Sequence, residues 1–262
     1  MSTSILSDFK IDLKRCFFSY KFIVSVIFIA SMYELSSNTF YHGEENVITK
    51  ICNISTFGLG GLLIWSGMVY SSVNVLCEEF EERFYIQMIM RNGKNKYIFS
   101  KMSAIFLVSF TSILLGYIVF VSVNALGLEI FDKNSITEFQ SSLYYDMLEN
   151  GKQLGFICAY GVQLATLGGV LGNIALAFSL FTRNQMLIFV SPVVYLYIQD
   201  ILCIKVFGHR IGSCMSLNSA VFNSLTDAIF GQSWQNAYAQ LFITMVFVGC
   251  VIVFKFNKKL SE

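Results

Sequence analysis

Charge is scarce in this chain. Only 13% of its 262 residues are Asp, Glu, Lys or Arg, against about 25% in an ordinary soluble domain. Proline occurs once and histidine twice, as His42 and His209. A formal net charge of +1 leaves no concentrated basic face, which excludes a nucleic-acid partner. The seven cysteines are scattered singly, without a C-x-x-C pair or a nearby histidine, so no metal site is expected and most read as apolar filler. Cys203 and Cys214 fall near one face, where a disulfide and two free thiols both stay open. Segments of about ten alternating residues, the mark of a membrane barrel, are missing as well.

What is present is apolar sequence: 55% of the residues are hydrophobic and 26 are Phe. Long apolar runs alternate with short polar loops. The expectation is an all-α integral membrane protein, one transmembrane domain over residues 1–262, with about six transmembrane helices in a lipid bilayer.

Taken in order, residues 1–16 read as an N-terminal interfacial helix. Ile5, Phe9, Leu13 and Phe17 share one face, and Asp8, Lys10, Asp12, Lys14 and Arg15 fill much of the rest, a pattern suited to the headgroup region. Spans are expected at about 17–35, 51–77, 102–126, 156–180, 185–204 and 237–254, each near the roughly 20 residues that cross about 30 Å of hydrocarbon. The second and fourth spans are rich in Gly and Ser, including Gly168 and Gly172 in a G-x-x-x-G spacing, which favours close helix contact. Pro192 should kink the fifth. A surface helix carrying Phe139, Leu143 and Met147 is expected between spans four and three. Leu217, Val221, Leu225 and Ile229 recur every four residues and predict an outer helix between spans five and six.

Thirteen of the eighteen Lys and Arg residues gather on one side if the N-terminus, the 78–101 loop, the Arg183 turn and the C-terminus lie together. The positive-inside rule then makes both termini cytoplasmic.

The 78–101 loop, EEFEERFYIQMIMRNGKNKYIFSK, is the longest charged run. Glu79 and Arg83 sit four apart, acid first, as a helical pair prefers. Phe80, Phe84, Tyr85, Met88 and Ile89 make an apolar face, and Asn92-Gly93 after Arg91 is a helix stop. With the interfacial helix, six spans, both ends inside and an outer helix before span six, this loop resembles the permease subunit of type-2 ABC exporters. The resemblance spans the chain but rests on architecture, with Glu78-Glu79, Arg83, Arg91-Asn92-Gly93-Lys94 and Lys101 as its most specific part. It implies a cytoplasmic coupling helix in which Glu78, Glu79, Glu82, Arg83, Arg91 and Lys94 contact a separate ABC ATPase subunit. ATP and Mg would be held by that ATPase, since this chain has no G-x-x-x-x-G-K-[ST] loop and carries no cofactor of its own. A second copy or a related permease would complete the pathway as a homodimer or heterodimer. The implied setting is the plasma membrane of a bacterial cell, with export of a peptide or other amphiphilic compound, such as an antimicrobial peptide. The chain itself is then a transporter subunit and no enzyme.

Lone polar residues within spans mark candidate pathway positions: Ser66, Ser72 and Asn74 in the second, Ser191, Tyr195 and Gln199 in the fifth. Each also reads as a helix-bridging residue. No ionisable residue stands mid-span, so a proton relay is not expected. Two rivals remain. One is an ATP-independent, immunity-type membrane protein that binds or neutralises a peptide. The other is an intramembrane protease, because Glu78-Glu79-x-x-x-Arg83 resembles the first motif of the prenyl-protein endopeptidase relatives. Such a site needs histidines; Asn38 and Lys205 stand four before the two present, so no F-x-x-x-H exists. His42-x-x-x-Asn46 precedes the glutamates and lies across the membrane.

Overall fold

In the computed structural model, residues 3–38, 46–52, 54, 59–73, 87–90, 93–130, 144–182, 184–215 and 234–259 are described. Their regular structure is entirely helical. The helices are α1 (Thr3–Phe17), α2 (Tyr20–Asn38), α3 (Val47–Cys52), α4 (Leu59–Ser72), α5 (Lys94–Ala125), α6 (Tyr145–Glu149), α7 (Gln153–Ser179), α8 (Gln185–Met215) and α9 (Trp234–Lys259). Residues 87–90 add one helical turn before α5.

Five of these are long and apolar enough to cross a membrane: α2, α5, α7, the Gln185–Val206 part of α8 and the Ala237–Phe256 part of α9. The chain is therefore an all-α membrane protein. The expected second span is divided. Ile51 and Cys52 close the short helix α3, Ile54 is non-helical, and Leu59 is the first described residue of α4. Residues 53, 55–58 and 74–77 of that expected span lie outside the described residues, as do most of 78–93, residues 131–143 with Phe139 and Leu143, and the expected outer helix at 217–229.

Residues Thr3–Phe17 form α1, which ends at a corner. Ser19 caps α2 by accepting the Lys21 backbone N–H at 3.2 Å, a normal N-cap bond. Phe17 and Phe22 meet edge-on across the corner, with ring centroids 4.9 Å apart. Helix α5 starts eight residues before the expected third span, because Lys94 to Lys101 continue the helix. Gly93, at φ 81°, supplies the left-handed residue between the 87–90 turn and α5, and its N–H closes that turn on Ile89 at 2.8 Å.

Contacts along α5 give the direction of each neighbouring helix. Ile29 meets Gly116, and Tyr33 meets Phe120, so α2 and α5 run together. Tyr117 packs on Gly161, Ile113 on Gly168 and Ser109 on Gly172, so α7 runs against α5. Met68 also reaches Gly168, and Ser72 reaches Ser109, so α4 runs against α5 too. Helix α9 does the same, with Tyr97 beside Phe256 and Met102 beside Gly249. Helix α8 leaves the tight turn after α7 and flanks α7 and α4. Cys203 and Cys214 both lie on α8. Eleven residues of one helix separate them by about 16 Å of rise, too far for a disulfide within the chain.

The closest contact is between α5 and α7. A Cβ on Gly168 would sit 2.7 Å from Ile113 Cγ1, and one on Gly169 would sit 2.6 Å from the Phe106 ring. A Cβ on Gly249 of α9 would meet only the flexible end of Met102, at 3.3 Å. Alanine at 168 or 169 should therefore cost about 1–3 kcal/mol of stability through overpacking, and alanine at 249 less than about 0.5 kcal/mol. Thermal unfolding midpoints of the detergent-solubilised variants measure the difference; equal midpoints would contradict this packing.

Candidate functional site

Three described elements meet at one end of the bundle: α1, the first two turns of α5 and the end of α9. Helix α1 is amphipathic, and its acid Asp12 faces α5. Lys101 Nζ donates to Asp12 Oδ1 at 2.6 Å, and both side chains are only 5% exposed. The ammonium also lies 5.5 Å from the centroid of the Tyr97 ring, a cation–π contact. Two helical turns further along α5, Val108 packs with Cys16 and Phe22, so α1 lies along α5 over this length. Tyr97 in turn stacks obliquely on Phe256 of α9, with ring centroids 5.8 Å apart. Lys255 covers the Phe181 ring at 4.1 Å, tying α9 to the turn after α7. An apolar cleft between these elements is lined by Tyr97, Ile98, Leu176, Leu180, Ile252 and Phe256, with Lys101 at its edge.

This end is where the charged loop enters α5. Of the residues expected to contact an ATPase, Lys94 is described, half-buried in the first turn of α5. Glu78, Glu79, Glu82, Arg83 and Arg91 lie outside the described residues. The 87–90 turn carries part of the expected apolar face: Met88 is buried and Ile89 half-buried against the core.

The pathway candidates fall on α4 and α8, which touch. Ser66 and Ser72 are buried. Ser66 donates to Leu62 O at 3.4 Å, Ser72 to Met68 O at 3.0 Å, and Ser109 donates to Ser72 at 3.1 Å. Ser191 is buried and donates to Ile188 O at 2.7 Å. In this structure the three serines satisfy helix carbonyls and pack. Tyr195 and Gln199 are half-buried on α8, and Gln199 Oε1 is enclosed without a hydrogen-bond partner. Asn74 lies outside the described residues. Helix α8 continues on both sides of Pro192.

The opposite end holds a second polar cluster. Lys50 of α3 donates to Glu34 Oε1 of α2 at 2.8 Å and to Asn124 Oδ1 of α5 at 2.9 Å. Asn124 donates to Glu34 Oε2 at 2.7 Å, and Asn38 to Glu34 Oε1 at 3.1 Å. Helix α3 itself is buried from Val47 to Ile51. Asn46 is its N-cap and accepts from the Thr49 backbone and hydroxyl, each at 2.8 Å, a capping role unlike a protease's catalytic asparagine. The first two N–H groups, of Val47 and Ile48, donate to the carbonyls of Glu129 and Ile130 at 3.0 and 3.3 Å. Nearby, burial first and then the Tyr238 hydroxyl push the Tyr144 hydroxyl up from its ordinary value, keeping it a neutral donor.

Sequence reasoning missed both clusters. Asp12 read as one more surface charge of an interfacial helix, and Lys50 as a loop cation. The available signal was position: Lys101, Glu34 and Asn124 each stand where a long apolar run starts or stops, the depth at which a charge must find a partner.

Comparison of the chain with protein-family models, curated proteins and solved structures finds no match.

The Asp12–Lys101 pair gives a direct test of this end. Asp12→Asn or Lys101→Met removes one partner of this buried ion pair and should cost about 3–5 kcal/mol. The double change Asp12→Leu with Lys101→Met should recover most of that loss. Thermal unfolding of the three purified proteins reads the order; a double variant as weak as the singles would remove the pairing.

Proposed function

We propose that this chain is the membrane-spanning subunit of an ATP-driven ABC exporter for a peptide or other amphiphilic compound, energised by a separate ATPase. The observation that carries the reading is the construction of the end where the charged 78–101 loop joins α5. A loop that receives force from a partner needs a stiff seat. Here the receiving helix is bonded to α1 through a buried ion pair and packed on α9 through Tyr97 and Phe256. A push on Lys94 would reach three helices together. The reading takes the loop's acids and Arg83 as the partner contacts, places this end in the cytoplasm by its lysines and arginines, and takes the apolar, weakly polar helix surfaces as suited to amphiphilic cargo. A second copy or a related permease would complete the pathway.

The test is co-purification from native membranes. Tagged wild-type chain should bring down an ABC ATPase, and a Glu79→Lys, Arg83→Glu double variant should bring down at least about tenfold less, as expected when several charged rim contacts are reversed. If the wild type retains no ATPase, the transporter reading fails. The ATP-independent, peptide-binding protein then takes its place.

A further inference from the structure

Helix α3 has features that packing alone does not account for. It is six residues long, shorter than the roughly 12 that hold a helix together in isolation, yet it is among the most enclosed parts of the molecule. Val47, Ile48 and Ile51 are fully buried. Besides this apolar packing, its polar holds on the bundle are few: the Lys50 bonds to Glu34 and Asn124, and two backbone bonds to the segment after α5. Each of these can break without unthreading a long helix.

Within the same core lies a group of aromatic hydroxyls. Tyr33 is fully buried, and its hydroxyl has no hydrogen-bond partner. The Tyr33 and Tyr117 rings meet with centroids 6.0 Å apart. Tyr117 donates to Ile157 O at 3.1 Å, and Tyr160 lies on the same helix α7, one turn after Phe156. Tyr33 adjoins Glu34 in α2, and Phe120, which meets the Tyr33 ring, stands one turn before Asn124 in α5, so this ring lies beside the residues that hold Lys50 of α3. An enclosed hydroxyl without a partner is costly, and in a membrane protein no lipid relieves it. Its presence is explained if another arrangement of the same chain gives it water or a ligand.

We propose that α3 is a movable plug, latched by Lys50 across Glu34 and Asn124, whose release exposes the Tyr33–Tyr117–Tyr160 hydroxyl layer to water and to amphiphilic cargo. The inference deepens the transport reading and shares its premise that something moves through the bundle. It does not depend on the ATPase. The latch joins three helices, so its release removes the side-chain hydrogen bonds that tie α3 to both α2 and α5. The pair is suited to release because the Glu34 side chain is 40% exposed while Lys50 is 10% exposed: water can compete at one partner and not at the other.

The experiment measures the reaction of a charged, water-soluble maleimide with detergent-solubilised full-length protein whose seven native cysteines are replaced by Ser or Ala. Val47→Cys reports on the plug. Val108→Cys, equally buried in the α1–α2–α5 cluster at the other end, reports on general loosening. Lys50→Met and Glu34→Gln should each raise the rate at position 47 by about tenfold or more, the order expected for a half-wet ion pair. The rate at 108 should stay unchanged. The exchanged pair, Glu34→Lys with Lys50→Glu, should bring the rate at 47 back toward wild type. Unchanged rates at 47, or equal acceleration at 47 and 108, would overturn the latch. Because no partner is present, failure here leaves the ATPase reading to its own test, and failure there leaves this one.

Discussion

The close approach of α5 and α7 decides how the other helices can be placed. In lipid, helices gain little by hiding apolar surface from a solvent that is itself apolar, so association rests on packing contacts and interhelical hydrogen bonds. Glycines at 161, 168, 169 and 172 remove the side chains that would hold the two helices apart, and Tyr117, Ile113, Phe106 and Ser109 fill the space. Helix α4 then lies against both, with Met68 reaching Gly168 and Ser72 meeting Ser109. Helices α2, α8 and α9 attach around this centre. The outer helices show the consequence: α8 and α9 are 22% buried over their most apolar windows, and α7 61%.

Among the described residues the buried charges Asp12, Lys50 and Lys101 lie at the two ends of α5. Lys101 and Asn124 are 23 residues apart, about 35 Å along a helix, close to the roughly 30 Å of a bilayer's hydrocarbon core. Each meets a carboxylate from the α1–α2 unit, Asp12 at one end and Glu34 at the other. The two contacts fix the register of that unit on α5, because a slip of one turn would part Asp12 from Lys101 and Glu34 from Asn124.

The helical class and the presence of several long apolar helices were legible because they follow from composition and from the length of apolar runs. The second span was less so. Its run of apolar and small residues, 51–77, is continuous by hydropathy, yet Cys52 ends α3 and Leu59 starts the described part of α4. Hydropathy averages over a window and does not register a short capped helix such as the one begun by Asn46. The ion pairs were hidden for a different reason. A carboxylate on an amphipathic helix looks the same in sequence whether it faces water or a lysine 89 residues away. The small residues of the fourth span marked a helix-contact face, and α5 proves to be the helix on it. The serines of α4 and α8 could not be sorted into packing and pathway, since a serine bonded to its own helix carbonyl serves either.

The two ends of α5 differ in a way that bears on movement. Asp12 and Lys101 are equally enclosed, at 5% each, whereas Glu34 is 40% exposed beside a 10% exposed Lys50. A dry pair resists separation because each charge would be left unsolvated. A half-wet pair exchanges its partner for water at far lower cost. The Asp12–Lys101 pair therefore resists the parting of α1 from α5, and the Glu34–Lys50 contacts around Asn124 part at lower cost. Stiffness at the Lys101 end and yielding at the Asn124 end both follow from this contrast in enclosure.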